Sequence, residues 1–417
     1  MHDDAVVTGI GVLTSAGIGV AAFSTALEMG RVGITGENTD GLGVAGRLLD
    51  FSFEKNLAGL NLRESIYSRA LKAGRKAPRS AQASLIASLE AWHQAFCGFD
   101  SIRPEKINIL VAGNNLNQGY QRGIMSKFQT DPEYVPASYA LHFLDTDQIG
   151  LLSEVIGIRG EGFTVGGASA SGNVGILQAY RQIKHGLCDV CLVVGAMADL
   201  SPVELQAFRH AGALGGSSFA DQPEKACRPF DTRREGFIYG QGSACMVLES
   251  AKHARNRGAY IWGRIAGGAA CLDGNRSTDP SVDGEAHVMK MALEDANRAP
   301  EEIDYVNAHA TSSVLGDEVE TKALKKALGL HVTHVSVNAT KGLTGHCLYA
   351  AGVVESVATL IQMKGGFLHP NVNLDSPIDA ACHFVGPKAE AKQCRLALSN
   401  SFGFGGINTS IVLEGSP

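Results

Sequence analysis

The sequence predicts an α/β protein built from two similar halves. Short β-branched runs alternate along the chain with longer stretches of small residues, a pattern typical of strands covered by helices. Two Gly/Ala-rich, mostly uncharged segments, beginning at Val165 and Lys341, share one design: a polar turn followed by a helix. Helices with so little polar surface are expected to be buried. The repetition places one half over residues 1–252 and the other over 253–417.

The predicted strands come from short apolar runs of the residue types that fit a pleated, half-buried surface. In chain order they are Ala5–Gly9, Ile107–Ala112, Val190–Gly195, Cys245–Glu249, Tyr260–Ala269, Ile303–Asn307, Val335–Asn338, Ala397–Ser401 and Ser410–Leu413. The predicted helices are the longer small-residue stretches between them: Val20–Met29, Ser80–Phe96, Gly172–His185, Gly284–Asn297, Asp317–Leu328 and Ala351–Met363. Glycine, 50 of 417 residues, lies beside Ala and Ser in apolar stretches, so we expect close packing between elements.

The composition excludes several classes of protein. Lys and Arg number 36 against 42 Asp and Glu, a formal charge of −6, whereas nucleic-acid binders usually carry a basic excess. Hydrophobic residues make up 45%, as in globular proteins, and no apolar run reaches the roughly 18 residues of a membrane span. The first residues are acidic and lack the basic start of a signal peptide. We therefore expect a cytoplasmic protein that binds neither nucleic acid nor membrane.

The cysteines fit the same location. There are nine, scattered through the chain, which is typical of free thiols rather than of a disulfide framework. Cys188 and Cys191 have the spacing of a redox pair. However, Cys191 opens an apolar strand-like run and no second pair exists, so we predict a buried structural role.

Four short clusters carry side chains capable of chemistry. Two of them open the repeated helices and place Ser169 and His346 at helix N-termini, which carry partial positive charge and free N–H groups. Two buried helices that point such termini at one place would form an anion-stabilising site. Each cluster is weak alone; in chain order they are Gly167–Gly172, Val306–Ser313 followed by Gly316–Glu320, Thr340–His346 and Asn400–Asn408.

In this order the clusters resemble the β-ketoacyl synthase family of condensing enzymes. That family has a Cys nucleophile in an ACxSG-type turn, then NAHGTST, then KSxxGH, then NSFGFGGTN. The resemblance covers essentially the whole chain, since it extends to Val6–Gly11, Arg228–Asp231, Glu235–Phe237 and Gly240–Gly242. It implies the thiolase fold, layered α-β-α-β-α with two duplicated halves, and normally a homodimer. The first half would carry Ser169, and the second would carry His309, Lys341 and His346.

The departures from the family pattern centre on the nucleophile. Ser169 occupies the position of the family's Cys. The other catalytic positions are kept; they are His309, Lys341 and His346, with Asp317 and Glu320 in support. Three smaller departures are Gln241 for Glu, Ala310 for Gly and Tyr349 for Gly.

A serine at this position changes the chemistry that the resemblance implies. A thiol has a pKa near 8.5, which a helix N-terminus lowers, whereas an alcohol ionises far less readily and needs an adjacent base. Ser169 should therefore accept an acyl group poorly, and condensation, which needs a stored acyl group, should fail. Decarboxylation of a malonyl thioester needs only donors that stabilise the enolate oxygen. The resemblance gives that role to His309 and His346, with Lys341 tuning the site through Glu320.

The pattern resembles one branch of the family: the free-standing malonyl-acyl carrier protein decarboxylases of polyketide β-branching cassettes, which carry Ser at the Cys position. This implies conversion of malonyl- to acetyl-acyl carrier protein without condensation. The expected partner is an acyl carrier protein bearing a phosphopantetheine arm; the enzyme itself should bind no cofactor and no metal. Thr311, Ser313 and Phe237 would contact the arm, and Phe404 with Phe402 would occupy the gatekeeper and oxyanion positions.

Two further segments concern the substrate. The turn Gly113–Gln118 has large side chains where the family has glycines, so a long acyl chain should fit poorly, unless the loop packs elsewhere. The stretch 63–79 holds six basic residues and one acid, Glu64, which predicts a docking surface for an acidic carrier protein. Its members include Arg63, Arg69, Lys72, Arg75 and Lys76.

Two alternatives remain open. The first is a Ser-nucleophile acyltransferase or slow condensing enzyme, in which His309 or His346 would act as a base on Ser169. The second is a non-catalytic partner resembling a chain-length factor. The retained histidines and Lys341 argue against it, because an inactive partner needs none of them.

Overall fold

The computed structural model describes residues 4–36, 41–97 and 102–416. Over these residues the strands β1 to β15 are Ala5–Thr14, Gly17–Ile18, Ile34–Thr35, Ala45–Gly46, Ile107–Ala112, Gly162–Val165, Val190–Gly195, Gly242–Ser250, Gly263–Leu272, Tyr305–Asn307, Ser336–Asn338, Phe367–Leu368, Glu390–Ala391, Leu396–Gly403 and Ile407–Gly415. The helices α1 to α14 are Val20–Met29, Phe53–Gly59, Glu64–Gly74, Arg79–Phe96, Gln118–Thr130, Tyr139–His142, Thr146–Ile156, Ser171–Lys184, Pro202–His210, Ala251–Asn256, Val282–Asp295, Val314–Leu328, Lys341–Thr344 and Ala351–Gly365. None of the helices in these ranges combines the length and the apolar character that crossing a membrane requires.

The large sheet repeats one strand order in each half of the chain. Its eleven strands run β11-β10-β14-β15-β9-β1-β8-β7-β5-β6, with β2 paired to β1. If the five main strands of each half are counted along the chain, both halves read third, second, fourth, fifth, first. The halves join through β1 and β9, which pair only over Ala5–Val7 and Gly263–Ile265. The predicted boundary at residue 252 falls in α10, between the two strand sets, and stays a prediction.

Helices lie between the two strand sets and on their outer faces. Helix α4 packs on β1 and β8, and α11 packs on β9 and β15. Between the two strand sets, α8 and α14 contact strands of both halves and each other. Residues Ala351–Met363 of α14 are all buried, as their uncharged sequence predicts, with Glu355 the one charged exception. The order of layers confirms the predicted α-β-α-β-α thiolase fold.

The predicted elements are found, with ends that differ by a few residues. Val20–Met29, Ile107–Ala112 and Val190–Gly195 have the predicted bounds, while the strand predicted from Tyr260 begins at Gly263. The edge strand β6 and helices α2, α3, α5, α7 and α9 were not predicted. Strand β6 and helix α2 are short, and α3, α5 and α9 lie on the surface with polar sequences, whereas α7 has a buried apolar face that the prediction missed. All nine cysteines are free thiols, and the pair Cys188 and Cys191 is buried, as expected.

Candidate active site

Ser169 lies in a 3-10 turn, Ala168–Ala170, directly before α8. Ser171 braces this turn, because its Oγ accepts a hydrogen bond from Gly167 N–H (2.9 Å) and donates one to Ala168 O (2.7 Å). The Ser169 hydroxyl lies 2.8 Å from Nε2 of His346. The two side chains that open the repeated helices therefore meet, as the sequence predicts.

Glycines let three backbone segments converge around Ser169. A Cβ on Gly172 would lie 2.7 Å from the backbone nitrogen of Val353, so α8 and α14 touch at their N-terminal ends. A Cβ on Gly403 would lie 2.4 Å from Gly167 O, so the glycine-rich turn after β14 presses on the serine turn. Contacts this short admit no side chain at either position.

The two predicted histidines pack edge-on against each other in a buried site. The ring centroids of His309 and His346 are 5.6 Å apart, with an interplanar angle of 84°. Burial, and then the nearby charge of Lys341, hold the pKa of both imidazoles well below the usual value. Both rings are therefore neutral at pH 7.

Lys341 fixes the tautomer of His309. Its ammonium lies 3.4 Å from His309 Nδ1, and an ammonium can only donate. Nδ1 therefore accepts, and the proton of the neutral ring sits on Nε2, where it can be donated to a substrate oxygen. Lys341 is itself 1% exposed and forms an ion pair with Glu355.

The prediction that Lys341 acts through Glu320 is wrong: its carboxylate partner is Glu355. Glu320 instead accepts hydrogen bonds from the backbone N–H groups of His309 (2.8 Å) and Ala310 (2.7 Å). It thus fixes the backbone that carries His309. Glu355 was missed, although the sequence offered a signal, since a lone acid in an otherwise uncharged buried helix needs a partner.

Acidic side chains line the other side of the site. Asp317 accepts from Phe230 N–H at 2.8 Å, and burial raises its pKa to about 7. Glu285, which sequence reasoning missed, is 1% exposed, and its Oε2 has no hydrogen-bond partner among the described residues. Burial, followed by the nearby Glu320 carboxylate, raises the pKa of Glu285 well above its usual value. Nothing in its local sequence distinguished Glu285 from an ordinary helix acid.

These groups surround one cavity of about 380 Å³. Among the residues on its wall, Val314 and Leu315 are exposed, so the cavity is open to solvent beside them. Its wall includes ten residues predicted from the sequence: Ser169, Phe237, His309, Thr311, Ser313, Asp317, Glu320, His346, Phe402 and Phe404. Lys341 is buried behind His309 and does not reach the wall.

The predicted aromatic and hydroxyl positions adjoin the histidines. Phe402 packs edge-on against His309 with ring centroids 5.6 Å apart, and Phe237 packs edge-on against His346 at 5.5 Å. Phe404 is 41% exposed. On the same wall, Thr311 Oγ1 donates to Ser313 Oγ at 3.1 Å.

Two predicted segments lie outside the cavity. Of the turn 113–118, no residue reaches the wall: Asn115 is exposed, and Asn117 is buried and accepts from the Ser80 hydroxyl at 2.6 Å. The turn therefore packs elsewhere and does not itself fill the cavity. The predicted docking residues are exposed and form a surface on and around α3, away from the wall: Arg63, Arg69, Lys72, Arg75 and Lys76.

No metal-binding cluster occurs in the described part of the chain. Within residues 4–36, 41–97 and 102–416, no group of three or more His, Cys, Asp and Glu side chains is arranged to hold an ion. The polar side chains on the cavity wall are the two imidazoles, the hydroxyls, the acids and the amide of Asn408.

Comparison with known proteins gives matches along the whole chain. Residues 2–254 match the family "Beta-ketoacyl synthase, N-terminal domain" and residues 262–375 match "Beta-ketoacyl synthase, C-terminal domain". The chain is 40% identical to "Polyketide biosynthesis malonyl-ACP decarboxylase PksF" of Bacillus subtilis, over 99% of this chain and 96% of that protein. It is 33% identical to "3-oxoacyl-[acyl-carrier-protein] synthase 2" of Vibrio cholerae, over 98% of each.

Solved structures resemble the fold over its full length. A β-ketoacyl synthase from Burkholderia phymatum superposes with a TM-score of 0.87 at 27% identity, over 100% of both chains. A type II polyketide ketosynthase complex, AntDE:AntF, solved with its acyl-carrier protein, gives a TM-score of 0.86 at 25% identity, again over 100% of both chains.

Proposed function

Because the chain belongs to the β-ketoacyl synthase family, we propose that it decarboxylates malonyl-acyl carrier protein to acetyl-acyl carrier protein in polyketide biosynthesis, without condensation. One observation carries the proposal: a serine replaces the thiol nucleophile beside two neutral, buried imidazoles, His309 and His346, that are held in place. The name of the Bacillus relative supports the same reaction.

The carrier's phosphopantetheine arm enters through the mouth at Val314 and Leu315. The hydroxyls of Thr311 and Ser313 on the cavity wall hydrogen-bond its amides, and Phe237 packs against it. The arm places the thioester carbonyl oxygen between the two histidines, where the N–H on His309 Nε2 donates to it.

Loss of CO2 then follows from stabilisation of the enolate. The bond between the carboxylate and the α-carbon breaks, its electron pair moves to the thioester oxygen, and that developing oxyanion is held by the imidazoles. Preorganised donors in a site that excludes water are worth far more than donors in bulk solvent. The α-carbon then takes one proton from solvent, so malonyl loses CO2, gains a proton and becomes acetyl on the same carrier.

The Ser169–His346 hydrogen bond of 2.8 Å favours a second candidate, an acyltransferase that uses Ser169 as its nucleophile. A serine nucleophile needs a base that is itself oriented by a third group. His346 Nδ1 has no hydrogen-bond partner in the described part of the chain. The site therefore lacks the third member of a triad, and decarboxylation is the better-supported reaction.

The partners follow from the surface. Acyl carrier proteins are acidic, and the exposed basic residues around α3 would steer their approach.

We also expect a homodimer. Strand β6 forms one edge of the large sheet, and its Phe163 is exposed. Exposed apolar side chains next to an unpaired strand edge mark an association surface.

The test is to mix the protein with malonyl-acyl carrier protein and to follow the carrier-bound acyl group by intact mass. We expect conversion to the acetyl form, with no covalent adduct on the enzyme, and a near-complete loss of conversion in His346→Ala. An acyl adduct on Ser169 would establish the acyltransferase instead. An unchanged malonyl carrier would establish a non-catalytic partner.

A further inference from the structure

Tyr349 stands where the cavity meets the core of the N-terminal half. It lies in the 3-10 turn Leu348–Ala350, three residues after His346, and this turn packs against the turn Ala168–Ala170 that carries Ser169. The side chain of Tyr349 forms part of the cavity wall. It is thus a neighbour of any acyl group held at position 169.

Behind Tyr349 the structure is closed. A Cβ built on Gly113 would lie 3.1 Å from Tyr349 Cβ and 2.5 Å from Leu116 Cδ2, so Gly113 lies against both side chains. Tyr349 also packs against the hydrophobic cluster to which Leu116 belongs. Leu116 is fully buried. Tyr349 reaches the cavity wall, but Gly113 and Leu116 do not, so the tyrosine separates the cavity from the turn after β5.

One side of the cavity suits an apolar chain poorly. That side presents Asp273, Glu285 and Asp317, and each has a carboxyl oxygen without a hydrogen-bond partner in the described part of the chain. Covering such oxygens with an aliphatic chain removes water without supplying a donor, which is costly. The mouth would be filled by the arm that delivers the substrate. The apolar wall that directly adjoins the Ser169 turn is formed by Leu348 and Tyr349.

We propose that Tyr349 sets the size of the acyl group that this site accepts: its side chain closes the apolar end of the cavity, so that a group as short as malonyl or acetyl fits and a longer chain does not. This rests on the proposed function only in that the cavity receives acyl thioesters. It assigns to one side chain the exclusion of long chains that the sequence suggested for the turn 113–118.

The test measures acyl length directly, in a background that can store an acyl group. In Ser169→Cys, the new thiolate attacks the thioester carbonyl of an acyl-pantetheine, the carbonyl–sulfur bond breaks, and pantetheine leaves as its thiol. Acylation is followed by intact protein mass with acetyl-, hexanoyl- and decanoyl-pantetheine. The matched variants are S169C/Y349G, which removes the ring, and S169C/Y349F, which keeps the ring and loses only the hydroxyl.

We expect Ser169→Cys to be acylated by the acetyl thioester and at least tenfold more slowly by the decanoyl one, since a chain longer than the cavity can enter only by displacing packed side chains. In S169C/Y349G the rate of acylation by the decanoyl thioester should rise to within a fewfold of the acetyl rate. S169C/Y349F should show the same length dependence as Ser169→Cys alone. Equal acetyl and decanoyl rates in Ser169→Cys would overturn the proposal, as would an unchanged length dependence in S169C/Y349G.

Two features keep the result interpretable. If removal of the ring prevents folding, Tyr349→Leu in the same background keeps an apolar side chain and should give an intermediate gain for the hexanoyl thioester. Acylation of the new thiol involves no decarboxylation, whereas the proposed function is read from the conversion of malonyl to acetyl by the parent protein. If the proposal on Tyr349 fails, the decarboxylase function is still decided by its own measurement, and the reverse is also true.

Discussion

The two copies of the helix-opening turn face the same cavity, but only one of them is supported by charged groups. In the C-terminal copy, His346 lies beside His309, and Lys341 donates to His309 while pairing with Glu355. In the N-terminal copy, Ser169 has its turn braced by Ser171 and has His346 as its single side-chain partner in the described part of the chain. The difference teaches that buried charges hold the histidines in place, while the Ser169 hydroxyl has beside it only an imidazole whose Nδ1 has no hydrogen-bond partner in the described part of the chain.

The largest effect is expected on the histidine side. His309→Ala and His346→Ala should each lower malonyl decarboxylation by on the order of a hundredfold or more, because each removes a preorganised donor to the enolate oxygen. Both donors serve one oxyanion, so the double variant should lose less than the product of the single losses. Turnover is followed by carrier mass, with circular dichroism to check the fold. Near wild-type turnover in both single variants would rule out the enolate mechanism.

The support behind the histidines should matter for stability as well as for rate. Lys341→Met leaves the Glu355 carboxylate buried without its partner, which typically costs about 3–5 kcal/mol of unfolding free energy. Adding Glu355→Gln replaces the unpartnered acid with an amide that cannot ionise, so the double variant should regain part of that loss. Urea denaturation of both variants measures this. A double variant no more stable than Lys341→Met would show that the pair is not the cause.

The same variant has a pH signature with a definite sign. Burial already raises the pKa of Glu355 to about 7, and loss of the Lys341 charge raises it further. The folded variant then holds a proton that the unfolded chain, with its ordinary carboxyl pKa, has released. Its stability relative to wild type should therefore fall as pH rises through about 7. A deficit that does not depend on pH would mean that Glu355 is not the titrating group.

How much of this contrast the sequence could predict depends on the range of the interactions. Ser169 and His346 could be predicted together, because each precedes a recognisable helix by a few residues, although the structure starts α14 only at Ala351. The lone charge of Glu355 in α14 indicates a buried partner, but only the packing of α13 against α14 makes that partner Lys341. Glu285 on the cavity wall could not be predicted, since its place there arises only when α11 packs beside the site. The prediction that the turn 113–118 excludes long acyl chains failed for the same reason. Its side chains are large, but the fold turns them away from the cavity. The residue types in a turn do not determine whether their side chains point into the cavity or away from it.

A smaller effect is expected from the exposed basic residues around α3, which belong to neither copy of the turn. Reversing Arg75 and Lys76 to Glu should raise the apparent KM for malonyl-carrier protein several-fold, and the effect should shrink in high salt because exposed charges are screened. Turnover of malonyl-pantetheine, which lacks the acidic protein, should not change. Reversing Arg255 and Lys290, exposed basic residues on α10 and α11, is the matched control. If both substrates suffer equally in the Arg75/Lys76 variant, the surface is structural.

The central claim is that the reaction proceeds without covalent use of Ser169, and Ser169→Ala tests it most directly. This variant removes one hydrogen bond to His346 and leaves both imidazoles in place. Decarboxylation of malonyl-carrier protein should persist within several-fold of wild type, and the parent protein should show no acyl adduct by mass during turnover. Complete loss of activity in Ser169→Ala, together with an acyl-serine trapped at position 169 in the parent, would contradict the account and establish an acyltransferase.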